Sequence, residues 1–390
     1  MIIHKEEMEK CAINIVEGMN LKTNESVLIR GGIHSQELLE EIAINCYKKN
    51  AHPLIVSATD KYLEKVYAEI PVETLKVTPK HYLGLVKECD NLITVEPFQD
   101  PAIQLKFPRE KLEARAESSH PIKKVVFGNG EKGKKWCFAG FPTEEAAMFY
   151  NIDPETLKEI IIEGMMVTPK DLMKRCNVIS EGLKNADIVH ITDPQGSDFS
   201  IGINGRRINE DDGFISDEDI EMNDLGNNLP AGEVFIGCEE ERGEGIIYCP
   251  ITIDRFSNKI IRDITLHFRD GKLLLEEIAA DDKDTIIQSF KQALEVDKKT
   301  EKEIRTLNVG ELGIGCNPAI NKAIGYILTD EKVTGTVHVA FGDNYSYGGS
   351  SRSIMHWDFV TAPGITLEVK YLDGLTKTII EEGEILSLIE

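Results

Sequence analysis

The spacing of apolar residues changes character near the middle of the chain. Met8, Cys11, Ala12, Ile15 and Val16 recur at helical intervals, which predicts a helix over Lys5 to Met19, and Ser26 to Ile29 follows as a short strand. Gly31 and Gly32 predict a turn. Ser35 is placed to cap a helix through Leu38, Leu39, Ile42 and Ala43, and Asn50 with Pro53 ends it before a strand at Leu54 to Val56. The alternation continues with helices near Lys61 to Glu69, Lys80 to Cys89 and Arg109 to Ser118, and strands at Asn91 to Val95, Lys124 to Phe127 and Trp136 to Ala139. Strands alternating with helices predict an open, mostly parallel sheet covered on both faces.

From Thr143 to Ala186 the pattern is helical throughout, with Pro154 and Pro169 near helix starts. Beyond Asp187 it becomes strand-rich: Asp187 to Ile191, Phe199 to Ile203, Gly245 to Ile253, Asp263 to Phe268 and Leu273 to Ile278 read as strands. Asn204-Gly205 and Asp270-Gly271 carry hairpin signals. One helix is expected from Asp284 to Leu294 and a small one near Pro318 to Gly325. The expected organisation is an α/β domain over residues 1–186 and a strand-rich α+β domain over 187–390 that carries the chemistry.

At 390 residues the chain exceeds one ordinary core, in keeping with two domains. Its formal charge of −23 argues against nucleic acid or an anionic membrane surface as a partner, because phosphate contacts need clustered Lys and Arg. The eight cysteines are scattered without a C-x-x-C pair and read as buried thiols in a reducing compartment. The stretch MIIHKEEMEK lacks a basic segment followed by an apolar run, so a cytoplasmic location is expected. GGIHS after the first strand lacks the spacing of either common phosphate-binding loop.

The chemistry concentrates between Gly335 and Asp358. Thr334 to Phe341 alternates so that Val337 and Val339 share one face and His338 takes the other. His356 and Asp358, two apart, share one side of an extended chain, with Trp357 opposite. Taken singly, His338 reads as a hydrogen-bonded structural histidine and Asp358 as the group that holds the His356 ring. Two upstream carboxylates change that picture. Glu233 follows the turn Pro230-Ala231-Gly232 and begins an apolar strand, where a charge must be paired or bound to a cation. Glu311 lies among Gly310, Gly313 and Gly315, which let the backbone come close to something compact. Three carboxylates and two imidazoles suit two divalent cations sharing a bridging carboxylate and a hydroxide. A donor set rich in oxygen, with imidazole and without thiolate, points to zinc, cobalt or manganese.

These motifs together resemble the aminopeptidase T and aminopeptidase S group of thermophilic metalloproteases. The resemblance rests on N-L-P-A-G-E-V-F at 228–235, G-E-L-G-I-G-x-N-P at 310–318, H-V-A-F-G-x-x-Y at 338–345, H-W-D at 356–358 and, more weakly, GSDFSIGINGRR at 196–207. It implies a metal-dependent aminopeptidase that removes N-terminal residues from short peptides with a metal-bound hydroxide, usually as a homodimer. By that resemblance Glu233, Glu311, His338, His356 and Asp358 are the metal ligands, Glu311 is the bridge, and Tyr345 polarises the scissile carbonyl, with Tyr347 its rival. Two departures stand out. The loop from Tyr345 to His356 is short, and Pro-Ala-Gly-Glu replaces Pro-Thr-Glu-Glu. These features are shared with a branch resembling the Fe(II)-dependent 2,5-dihydroxypyridine ring-cleaving dioxygenases, which is the alternative reading. Retention of both Glu311 and His338 favours two metals and hydrolysis.

Overall fold

The structure, a computed structural model, describes residues 1–128 and 131–386, and of Tyr347 only the backbone. Contacts divide the chain into two units, one of residues 1–169 with 213–230 and the other of residues 170–212 with 231–390. The division falls at 169/170, upstream of the position near 186 expected from the change in pattern. The helix Pro169–Leu183 belongs to the second unit because Cys176, Ile179 and Leu183 are buried in that unit's core. The excursion 213–230 returns to the first unit because its strand Gly226–Leu229 pairs there with Lys135–Ala139.

The first unit is an all-parallel five-stranded sheet in the order His52–Ala58, Ser26–Gly32, Asn91–Val95, Lys135–Ala139, Gly226–Leu229. Helices Lys5–Gly18, Gln36–Lys48, Asp60–Glu69 and Lys80–Glu88 alternate with its strands. Lys124 to Phe127, expected as a strand, instead ends the helix Arg109–Phe127. Ile122, Val125 and Val126 pack against the buried cluster of Leu28, Val86 and Leu92, and that burial outweighs the strand preference of two valines.

The second unit contains two antiparallel sheets. One has eight strands, running from Lys272–Leu273 through Gly243–Ile253 and Ala186–Thr192 to Glu384–Ile385. The other has five, in the order His356–Val360, Thr336–Gly342, Val309–Gly315, Glu233–Gly237, Ile208–Asp211. Residues from both sheets and from the helix Lys283–Thr300 form one apolar core, including Phe199, Leu266, Phe290, Leu312, Phe341 and Trp357. A mixed α/β fold with one parallel sheet and antiparallel, strand-rich sheets is the class expected from the sequence.

Three local expectations fail in this unit. Asp270-Gly271 does make a tight turn, both residues having positive φ, but the strand after it is only Lys272–Leu273 and gives way to the single turn Leu275–Glu277. Asn204-Gly205 turns the chain without making a hairpin, because the next strand, Ile208–Asp211, crosses to the other sheet and pairs with Glu233–Gly237. No helix forms over Pro318 to Gly325. The Asn317 side chain accepts a hydrogen bond from Ala319 N and the Asp330 carboxylate accepts from Ile324 N and Gly325 N, which satisfies this backbone without a helix.

Candidate metal centre

The five-stranded sheet has one face built for packing and one built for chemistry. Val234, Ile236, Leu312, Ile314, Val337, Val339, Trp357 and Phe359 alternate onto the apolar core. The intervening positions carry Glu233, Glu311, His338, His356 and Asp358 onto the opposite face. Register brings these positions together. Glu311 pairs with Ala340 and Ala340 with Asp358, so a single methyl separates the two carboxylates across three strands. Gly313 pairs with His338, and any Cβ at Gly313 would meet the His338 ring at 2.0 Å. The imidazole therefore lies across the neighbouring strand where no side chain stands.

The side chains converge closely. His338 Nε2 is 3.4 Å from Glu311 Oε1 and 3.6 Å from Glu233 Oε2. His356 Nε2 is 3.5 Å from Glu311 Oε2 and 3.4 Å from Asp358 Oδ1. His356 Nδ1 donates to the Asp343 carbonyl at 2.8 Å, which turns Nε2 toward the carboxylates. Among the described residues, the buried oxygens Glu233 Oε2, Glu311 Oε2 and Asp358 Oδ1 have no hydrogen-bond donor. Buried carboxylate oxygens without donors are costly unless a cation satisfies them, so the residues fit a divalent ion. One set of ligand atoms, from Glu311, His356 and Asp358, lies within 4.8 Å of one another, and so does a second set from Glu331, His338 and Asp358.

Glu331 and Lys332 escaped the sequence reading. They follow the short helix Ile327–Asp330 in a polar run that reads as a solvated turn. Lys332 is instead 0% exposed. Its ammonium donates to Glu233 Oε1 at 2.7 Å and Glu331 Oε2 at 2.9 Å, and lies 3.6 Å from Asp211 Oδ2. The available signal is a lysine four residues before the buried strand Thr336–Gly342.

The charges set the titration of the cluster. Burial alone would lower both histidines, but the Glu311 hydrogen bond and the charges of Glu233 and Glu331 raise His338 to about 9. Asp358 and Glu311 raise His356 to about 10 against the same penalty. Burial pushes Glu233 up to about 7 despite Lys332 and His338. Burial opposes the charged form of Lys332 too, yet Glu233, Glu331 and Asp211 hold its pKa well above the ordinary lysine range. Asp358 stays well below the usual carboxylate range because His356 outweighs its burial. The same negative field that raises both rings would also favour a divalent cation there.

Tyr345 stands on the turn Tyr345–Tyr347, after the strand that carries His338. Its side chain is 54% exposed and the Arg352 guanidinium lies 3.4 Å above its ring centroid. The rival Tyr347 has a side chain outside the described structure. The loop between the two histidine-bearing strands is tied down by buried acids. Glu240 accepts from Ser350 N at 2.6 Å and Asn344 Nδ2 at 3.0 Å, and from Arg206 Nη2 at 2.6 Å. Asp297 accepts from Thr306 Oγ1, Ser353 Oγ and Ile354 N. All eight cysteines are buried free thiols, and Cys316 lies 3.6 Å from Cys176, in contact with packing groups rather than poised for attack.

Wild-type AmpT from Thermus thermophilus superposes with a TM-score of 0.73 at 18% identity, covering 98% of this chain and 99% of that one. The structure of 2,5-dihydroxypyridine dioxygenase from Pseudomonas putida KT2440 superposes with a TM-score of 0.59 at 13% identity, covering 98% of each chain. Both likenesses are of fold. No curated protein matches the chain, and no helix among the described residues is long and apolar enough to cross a membrane. The model of the thermophilic metalloprotease family, M29, matches residues 4–385. The chain therefore belongs to the thermophilic metalloprotease family and is a metallopeptidase.

Proposed function

We propose that this metallopeptidase is an aminopeptidase of short peptides whose divalent cation binds Glu311, His356 and Asp358. The observation that supports the reading is the convergence of Glu233, Glu311, His338, His356 and Asp358, from four strands, on one face of one sheet. A second cluster of His338, Glu331 and Glu233 adjoins the first. Glu311 reaches both halves of the cluster, touching His338 through Oε1 and His356 through Oε2.

A bound zinc, cobalt or manganese ion would supply Lewis acidity and bring the pKa of water to about 7. The residues of the chain do the rest. The carbonyl of Asp343 keeps the His356 ring oriented, and the strand pairing keeps Glu311 and Asp358 at fixed separation. Tyr345 is assigned to donate a hydrogen bond to the oxyanion that develops on the scissile carbonyl, an interaction worth roughly 3 kcal/mol. The reading carries with it a homodimer in the cytoplasm.

Metal analysis combined with a library of di- and tripeptides tests it. Release of N-terminal residues by metal-loaded protein is expected. Oxygen uptake with a dihydroxypyridine, and no peptide hydrolysis, would overturn it in favour of the ring-cleaving alternative.

A further inference from the structure

The two halves of the cluster are not alike. On one side, Glu311 Oε2 and Asp358 Oδ1 face His356 and, like Glu233 Oε2 beside His338, have no hydrogen-bond donor among the described residues. On the other, Glu233 and Glu331 both hold the ammonium of Lys332, at 2.7 and 2.9 Å. Both carboxylates lie beside His338, as Glu311 does, and Lys332 has no exposure to water. A buried ammonium with three acidic neighbours, Glu233, Glu331 and Asp211, has nowhere to leave its charge and no solvent to move into.

We propose that the Lys332 ammonium takes the place of one of two divalent cations, so that the chain holds a single cation on Glu311, His356 and Asp358. The inference rests on the metal site proposed above. Lys332 supplies one positive charge to the carboxylates on the His338 side, so those oxygens are less able to compensate a dication. A dication added there would also meet the ammonium across a few ångströms of water-poor interior, where like charges repel strongly. The His338 side is thereby left with a fixed organic cation, and His338 acts on Glu311 and Glu233 from outside the coordination sphere. Lys332 is a positioning and charge-setting residue, and its effect is on how many cations bind.

The test is the stoichiometry of the full-length chain, stripped with a chelator and titrated with Co(II) or Zn(II). Calorimetry and the visible absorption of Co(II) give two independent counts. One equivalent per chain is expected for the wild type, with any second equivalent weaker by about 100-fold or more. Lys332→Met, which keeps the length of the side chain and removes its charge, is expected to take a second equivalent, and Glu311→Gln to lose the first. Two equivalents of similar affinity in the wild type would overturn the proposal while leaving the metallopeptidase site intact. A folded Lys332→Met variant that still binds one equivalent would overturn it as well. Should that variant fail to fold, the wild-type count decides alone. No bound cation in the wild type would overturn this proposal together with the site on which it rests.

Discussion

The imidazole of His338 lies across Gly313, its partner on the adjacent strand, at a position where a Cβ would meet the ring at 2.0 Å. Gly313→Ala is therefore expected to turn His338 away from Glu311 and Glu233 while leaving the strand pairing in place. Comparing the cluster's Co(II) affinity and circular dichroism in the variant and wild type checks this. Affinity should fall about 10- to 100-fold with the secondary structure unchanged. Wild-type affinity would show that the ring position is immaterial.

Removing a member of the cluster itself should be more severe. Glu311→Gln and His338→Ala are each expected to lower kcat by at least about 100-fold, since oxyanion and nucleophile stabilisation fail together. The parallel sheet of the first unit shares no residue with the cluster, so far-UV circular dichroism should report an unchanged fold.

Chelation supplies a test that needs no substrate. Buried carboxylates with unsatisfied oxygens repel one another when no cation is bound, and metal that binds only the folded chain stabilises it by mass action, by about 2.7 kcal/mol at a hundredfold excess over Kd. Thermal unfolding with and without a chelator should show a lower Tm in the stripped protein, restored by added Zn(II) or Co(II).

Glu240 predicts a pH dependence separate from the metal cluster. Burial would raise its carboxyl, but hydrogen bonds from Ser350, Arg206 and Asn344 hold it at about 2, below the ordinary 4.5. A folded-state pKa below the unfolded one contributes stability that is fully present above pH 4.5 and is lost as pH falls toward 2. Glu240→Gln leaves Arg206 without its counter-charge and is expected to cost about 3 kcal/mol near neutral pH. Urea unfolding should show the gap between wild type and variant closing between pH 4.5 and 2. A gap that does not change with pH would assign the loss to packing.

Much of the site could be read from alternation alone. A period of two puts His338 opposite Val337 and Val339, and His356 with Asp358 opposite Trp357, without any knowledge of which strands are neighbours. Glu233 and Glu311 stood out because a carboxylate in an apolar or glycine-rich strand lacks a local explanation. Lys332 had a local explanation, as one more charge in a polar turn, and only the tertiary fold removes it from water. The same limit explains the valines at 125 and 126. Their strand preference is local, whereas the cluster around Leu28 that holds them in a helix is not. The Asn204-Gly205 turn was visible, but which sheet receives the next strand depends on Glu233–Gly237 nearly thirty residues later.

Glu311 and Asp358 project from strands locked to the one between them, with the methyl of Ala340 as the spacer. Such a frame cannot widen without breaking ladder hydrogen bonds, so an ion of greater radius must be met by side-chain torsions alone. On the metal site proposed above, the sheet is expected to act as a gauge, favouring the compact first-row ions over calcium, whose longer bonds and higher ligand number demand a looser cradle.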